Sequence, residues 1–185
     1  MILTAGILRN AGCCQSGIDR YFKNVNLKRY EASNLLELAI KNKDYIDAGN
    51  AMSKLMSKPQ RVEWAIYCAN QVLHIFENKH PDDKRPKTAL EAAERWLEDP
   101  TTDNAADADI AADGATHAAN DADDAVTHWA EHFAAYAAAH AAYAAADDAD
   151  DADIAADAVD SAADANKKPI YPALLRKGLD IFLKD

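Results

Sequence analysis

Apolar residues recur at steps of three and four along most of this 185-residue chain, the spacing of helices that each bury one face. The pattern starts in short pieces. Ile2, Leu3, Ile7 and Leu8 suit a short helix stopped by Gly12, and Ile18, Tyr21 and Phe22 suit a second short turn. Asn24 to Tyr30 is irregular, and no alternating run predicts a sheet. Residues 31–57 predict two short helices. Ser33 or Asn34 can cap the first, and Asn42-Lys43-Asp44 breaks it after Leu35, Leu36, Leu38, Ala39 and Ile40. Tyr45, Ile46, Ala48, Met52, Leu55 and Met56 stripe the second, which Gly49 weakens. Pro59 then opens a stronger helix from Gln60 to about Asn78, with Val62, Ala65, Ile66, Ala69, Val72, Leu73 and Phe76 on one face. A turn-rich connector, HPDDKRP at 80–86, ends with Pro86 placed to start the next helix. Ala89, Leu90, Ala93 and Leu97 form its buried stripe with Trp96 beside it, and Asp99-Pro100 ends it.

Beyond Pro100 the helical spacing persists but the apolar residue becomes alanine. Helices are predicted at about 102–119, 124–146 and 150–165. The middle one holds Val126–Ala146, which contains one charge, Glu131, and no Gly or Pro. At a helical step His128, His132, Tyr143, Tyr136, Trp129, His140 and Phe133 fall within one arc of about 140°. The rest of its surface is almost entirely alanine. A helix with an aromatic face, an alanine face and almost no charge belongs at the centre of a fold. Pro172 starts a last helix whose Leu174, Leu175, Leu179, Phe182 and Leu183 share a face too apolar for water, so it should dock on the body. The expected fold is all-α, a compact single-domain bundle of about eight helices around 124–146. Residues 1–57 form an N-terminal helical segment, and 58–185 an Ala/Asp-rich domain within the same compact unit.

Charge changes this picture. The net charge is −11. Residues 101–166 hold 15 Asp, one Glu and no Lys or Arg, a block of −16. The rest therefore carries +5, the difference between the two. Such a block disfavours direct contact with nucleic acid or an anionic membrane. It suits a protein partner with a basic surface, or mimicry of a phosphate backbone. In 150–165, Asp150, Asp153, Asp157, Asp160 and Asp164 recur at helical spacing, opposite Ala155, Ala158, Val159 and Ala162. An ordinary exposed helix mixes signs and gains i,i+4 pairs; here each like-charged pair costs a few tenths of a kcal/mol. This stripe is the candidate partner-binding surface, weighed against the ordinary solvated face of a helix.

Other chemistry fits poorly. His128-Trp129-Ala130-Glu131-His132 spells H-x-x-E-H, the inverted zinc-metalloprotease motif. Such an enzyme takes a third ligand, usually Glu, from a later helix, and no Glu follows Glu131. His128 and His132 are thus weak metal candidates; the alternative is core histidines satisfied by neighbours. Asp107-Ala108-Asp109 before Asp113-Gly114 imitates the start of a calcium loop, but out of register and without a closing Glu. Cys13, Cys14 and Cys68 form neither a disulfide framework nor a CxxC site, and buried thiols are expected. No Gly-rich phosphate loop or nucleophile elbow is present, so no cofactor and no catalysis are expected. The N-terminus lacks the form of a signal peptide and no apolar run suits a membrane span, which predicts a cytoplasmic protein.

Residues about 61–146 resemble the bacterial putative immunity protein family, an all-α class of polymorphic-toxin systems. The resemblance is carried by Trp64-Ala65, Cys68-Ala69, Val72-Leu73, Phe76-Glu77, Pro81-Asp82, Arg85-Pro86, Ala89, Glu91-Ala92-Ala93 and Trp96. It continues through His117-Ala118-Ala119, Thr127-His128, His132 and Ala134-Ala135-Tyr136-Ala137. Family members carry arginines among these alanines where this chain carries aspartates, so their surface chemistry does not transfer. The resemblance implies a non-enzymatic protein that neutralises a toxin by binding it. The residues add a means, an acidic face for a basic toxin surface. The alternative is a phage counter-defence inhibitor, anti-CRISPR or anti-restriction, using the same carboxylates as a DNA mimic. The weaker similarity of Leu8 to Phe22 to phage and bacterial proteins permits that origin. The apolar last helix also permits a homodimer.

Overall fold

Helix dominates the chain, as the spacing requires. A computed structural model describes residues 1–22, 29–122, 129–146, 153–165 and 170–184. Two-residue strands β1 (Ile2–Leu3) and β2 (Tyr30–Glu31) pair antiparallel, with Ile2 opposite Glu31. Helices α1 (Ala5–Asn10) and α2 (Gln15–Phe22) lie between them in the chain. Then follow α3 (Ala32–Asn42), α4 (Tyr45–Leu55), α5 (Lys58–Asn70), α6 (Leu73–Glu77) and α7 (Arg85–Glu98). The alanine half forms α8 (Thr102–Ala122), α9 (Trp129–Ala146) and α10 (Asp153–Ala165), and α11 (Tyr171–Phe182) closes the chain. Among the described residues there are eleven helices where about eight were expected. The fold class is all-α, and the count is raised by short pieces, the two expected before Asn24 (α1, α2) and α6, split from α5.

Three local differences have physical causes. The strand pair is a departure from the expected absence of sheet, since two residues are too few to show alternation. It also moves the start of α3. The helix begins at Ala32 with Glu31 as its cap, not at Ser33 or Asn34, because β2 holds Glu31 extended and the Ala32 N–H donates to the Met1 carbonyl at 3.0 Å. The helix expected over 60–78 is broken at Gln71-Val72. There the N–H groups of Gln71 and Val72 donate to the carbonyls of Cys68 and Ala69 at 3.2 and 3.0 Å. This three-residue spacing tightens the turn. The apolar phase survives such a break, so periodicity alone could not reveal it.

α9 is central. It packs against α5, α6, α7, α8 and α10. Ala134, Ala135, Ala137, Ala138, Ala139, Ala141, Ala142 and Ala145 are all fully buried on it. Facing alanines on α8 (Ala108, Ala112, Ala115, Ala118, Ala119) and α10 (Ala155, Ala158, Ala162) are buried too. Methyl-sized side chains let helix axes approach to the short end of the usual 8–10 Å range. The larger residues form the other half of the core: Val62, Trp64, Val72, Phe76, Leu174, Leu175 and Ile181. Trp64 Nε1 donates to the Leu174 carbonyl at 2.9 Å, tying α5 to α11. The apolar face of α11 is therefore docked on the body, as its composition demands. Leu36, Met52 and Met56 join the same apolar cluster, so α3 and α4 share the core of the later helices.

Candidate partner interface

The family-like residues are mostly structural. Trp64, Cys68, Ala69, Val72, Ala89, Ala93 and Trp96 are buried. Arg85 has a different task. Its guanidinium grips Asp83 with Nε and Nη2 at 3.0 and 2.6 Å, and Nη2 also reaches Asp121 at 2.7 Å. One side chain thus fastens the start of α7 to the end of α8. The bonds from Arg85 hold the Asp83 carboxyl below its ordinary range. Pro86 sits in the first turn of α7, where its missing N–H costs nothing.

The carboxylates occupy the outer halves of α8 and α10. α8 carries Asp103, Asp107, Asp109, Asp113 and Asp121, all exposed, and no Lys or Arg. The calcium-like stretch 107–114 lies inside this unbroken helix, so it cannot wrap as a loop. Ile110, 72% exposed, stands between Asp107 and Asp113. Aspartates in an alanine helix give no sign of their direction until the neighbours are known, so the sequence alone does not show this row as a surface.

The five-carboxylate stripe is divided. Asp150 lies outside the described residues. Asp153 is half-buried, with an oxygen 3.2 Å from Lys54 Nζ. Asp160 is half-buried and accepts a hydrogen bond from Tyr171; burial pushes its carboxyl up to about 6. Asp157 and Asp164 are exposed. Asp153, Asp157, Asp160 and Asp164 follow one another on α10 at helical spacing. The sequence could not show that α4 and α11 close over part of this stripe.

Between the two acidic helices runs the polar and aromatic edge of α9. His132, Tyr136, His140 and Tyr143 follow one another at helical spacing and are half-buried. His132 Nδ1–H donates to the Ala119 carbonyl at 2.9 Å. Tyr136 Oη donates to Asn120 at 3.4 Å and Tyr143 Oη to Asp113 at 2.6 Å, all on α8. On the other side His140 Nδ1 meets Ser161 Oγ of α10 at 3.3 Å. Burial lowers the His140 pKa below its ordinary value and raises that of Tyr143. His132 and His140 thus each meet a polar group of a neighbouring helix. Glu131 is buried in the first turn of α9, where the helix dipole favours a negative charge. His128 lies outside the described residues. Among the described residues no three His, Cys, Asp or Glu gather closely enough to hold a metal.

The cysteines separate. Cys68 is buried, and burial raises its pKa. Cys13 is half-buried and raised by burial as well. Cys14 is exposed, against the expectation of buried thiols, because it precedes α2. There the Ser16 hydroxyl and the Gly17 N–H lower its pKa.

A family model described as Imm-5 like putative immunity protein matches residues 52–168. The chain belongs to this family. The Imm-5 like match takes in the last turn of α4 and everything from α5 to α10, so it contains the Arg85 fastening, the α9 edge and both acidic helices. It leaves α1 to α3, most of α4, and α11 outside. No curated protein matches the chain, and no solved structure matches it. Among the described residues no helix is long and apolar enough to cross a membrane.

Proposed function

We propose that this protein is a non-enzymatic immunity protein that neutralises a toxin by binding the toxin's basic surface. Family membership supports the immunity role. The observation that carries the surface is the pair of helices α8 and α10, with nine aspartates and no Lys or Arg between them. They flank the Tyr136–Tyr143 edge of α9. Aromatic residues ringed by charge match the anatomy of protein interfaces, in which tyrosines anchor and charged rims steer. From the original stripe, Asp157 and Asp164 face outward, joined by Asp103, Asp107 and Asp109 of α8. Asp153 and Asp160 belong to the same acidic region through contacts that also hold the fold.

The test begins with a pull-down from the native host and identification of the bound protein. Asp107, Asp109, Asp157 and Asp164 are then replaced together by Asn. Binding should weaken by at least about tenfold at low salt, and the gap should narrow as salt screens the surface. The variant should unfold no earlier than the parent, since like-charge repulsion is relieved. Equal affinity of the two proteins at low and high salt would remove the acidic-face assignment. A partner that binds nucleic acid fits the same carboxylate rows, the DNA-mimic alternative. Competition by duplex DNA for the captured partner distinguishes it from a toxin that does not bind nucleic acid.

A further inference from the structure

Residues 1–22 meet α3, α4 and α11 around a cavity of about 170 Å³ that opens to the surface on one side. Leu8, Ile18, Leu36, Met52, Leu179 and Phe182 give it an apolar wall. Nearly all of its lining precedes residue 52 or follows residue 168, outside the immunity-family match. The cavity therefore belongs to what this chain adds to the family domain. Apolar cavities of about 150 Å³ stay dry and take up benzene. By volume this one accepts a body of about six to nine non-hydrogen atoms.

One edge is polar, and it sets the chemistry. α4 brings Asp47, Asn50 and Lys54 to the cavity at steps of three and four. Asp47 accepts from Arg20 at 2.6 Å, and Lys54 lies 3.2 Å from Asp153, so both charges are already answered. Between them the half-buried Asn50 amide is not hydrogen-bonded among the described residues. An amide both donates and accepts. With its charged neighbours paired, it matches a neutral head group better than an ion, which would have to be desolvated beside charges that are already satisfied. We infer that this cavity binds a small neutral ring compound with one hydrogen-bonding group, of the phenol or indole class. The ring lies against Leu36, Met52 and Phe182, and its O–H or N–H meets Asn50.

The experiment titrates the isotope-labelled full-length protein with indole, phenol, benzene and benzoate, following the resonances of Leu36, Met52 and Phe182. Indole and phenol should shift them saturably, and benzoate at the same concentrations should not. Asn50→Ala should weaken indole binding about five- to tenfold while leaving benzene uptake unchanged. Ala51→Leu, which extends a lining side chain into the cavity, should abolish the shifts, with its thermal unfolding midpoint confirming a folded chain. No saturable shift with indole or phenol would overturn the inference. So would benzoate binding as tightly as phenol, or an Asn50→Ala variant that binds indole like the parent. None of these outcomes touches the toxin-binding assignment, which rests on α8 to α10.

Discussion

Asp160 shows how one residue can serve an acidic surface and strain it. Burial first, then the charges of Asp157 and Asp164, push its carboxyl up to about 6, against an opposing hydrogen bond from Tyr171. The unfolded value is about 3.9. Between these two values the folded state holds more protons than the unfolded state, so stability falls as pH rises from about 4 to about 6. Asp160→Asn keeps an acceptor for Tyr171 and removes the charge. It should stabilise the protein at pH 7 by about 1–2 kcal/mol, after discounting for solvent screening. The gain should vanish below about pH 4. Urea unfolding at both pH values measures it, and an equal gain at both would rule out the charge as the cause. Gly178 poses the opposite problem. A Cβ there would stand 2.5 Å from Trp64 Cε2 and 2.7 Å from Met52 Cε. Gly178→Ala should cost about 1–3 kcal/mol by overpacking, read as a lower denaturation midpoint with an unchanged slope.

At the scale of elements, α8 runs unbroken through Gly114, and a Cβ at that position meets nothing within 4 Å. Gly114→Ala should therefore stabilise by about 0.5–1 kcal/mol. A loss of stability on thermal unfolding would mean that the helix is not continuous there. Most elements were legible in the sequence because their apolar spacing or their prolines declare them. Pro86 and Pro172 lie in the first turns of α7 and α11, as expected. What could not be read was set by contacts between elements. The start of α3 depends on β1, a strand of two residues. The break after Asn70 preserves the helical phase and so leaves no trace in it. The acidic stripe was visible as a stripe, but whether each carboxylate faces water depends on α4 and α11. α4 is far from α10 in sequence and α11 folds back on it from just downstream, and they cover Asp153 and Asp160 while leaving Asp157 and Asp164 exposed.

Across the whole molecule, charge is sorted rather than mixed. Residues 101–166 carry −16 while the remainder carries +5. Among the described residues, the ion pairs of Arg85 with Asp121 and Lys54 with Asp153 cross between the two. Repulsion within the acidic block should exceed these attractions when it is unscreened. Raising ionic strength from about 0.01 M to about 0.15 M shortens the screening length from about 30 Å to about 8 Å. The melting temperature should rise over that range. A falling melting temperature would show that the ion pairs outweigh the repulsion.

The alanine faces of α8, α9 and α10 have one more consequence. Methyl groups make a nearly smooth surface with no side-chain rotamers to lock, so packing alone does little to fix how far one helix slides along another. Sliding is limited instead by polar pins at the edge: Tyr143 to Asp113, His132 to the Ala119 carbonyl, and His140 to Ser161. Alignment and adhesion are thus handled by different residues. The inner half can stay a single residue type while the outer half is rewritten position by position. Such a scaffold can follow a changing partner without rebuilding its interior.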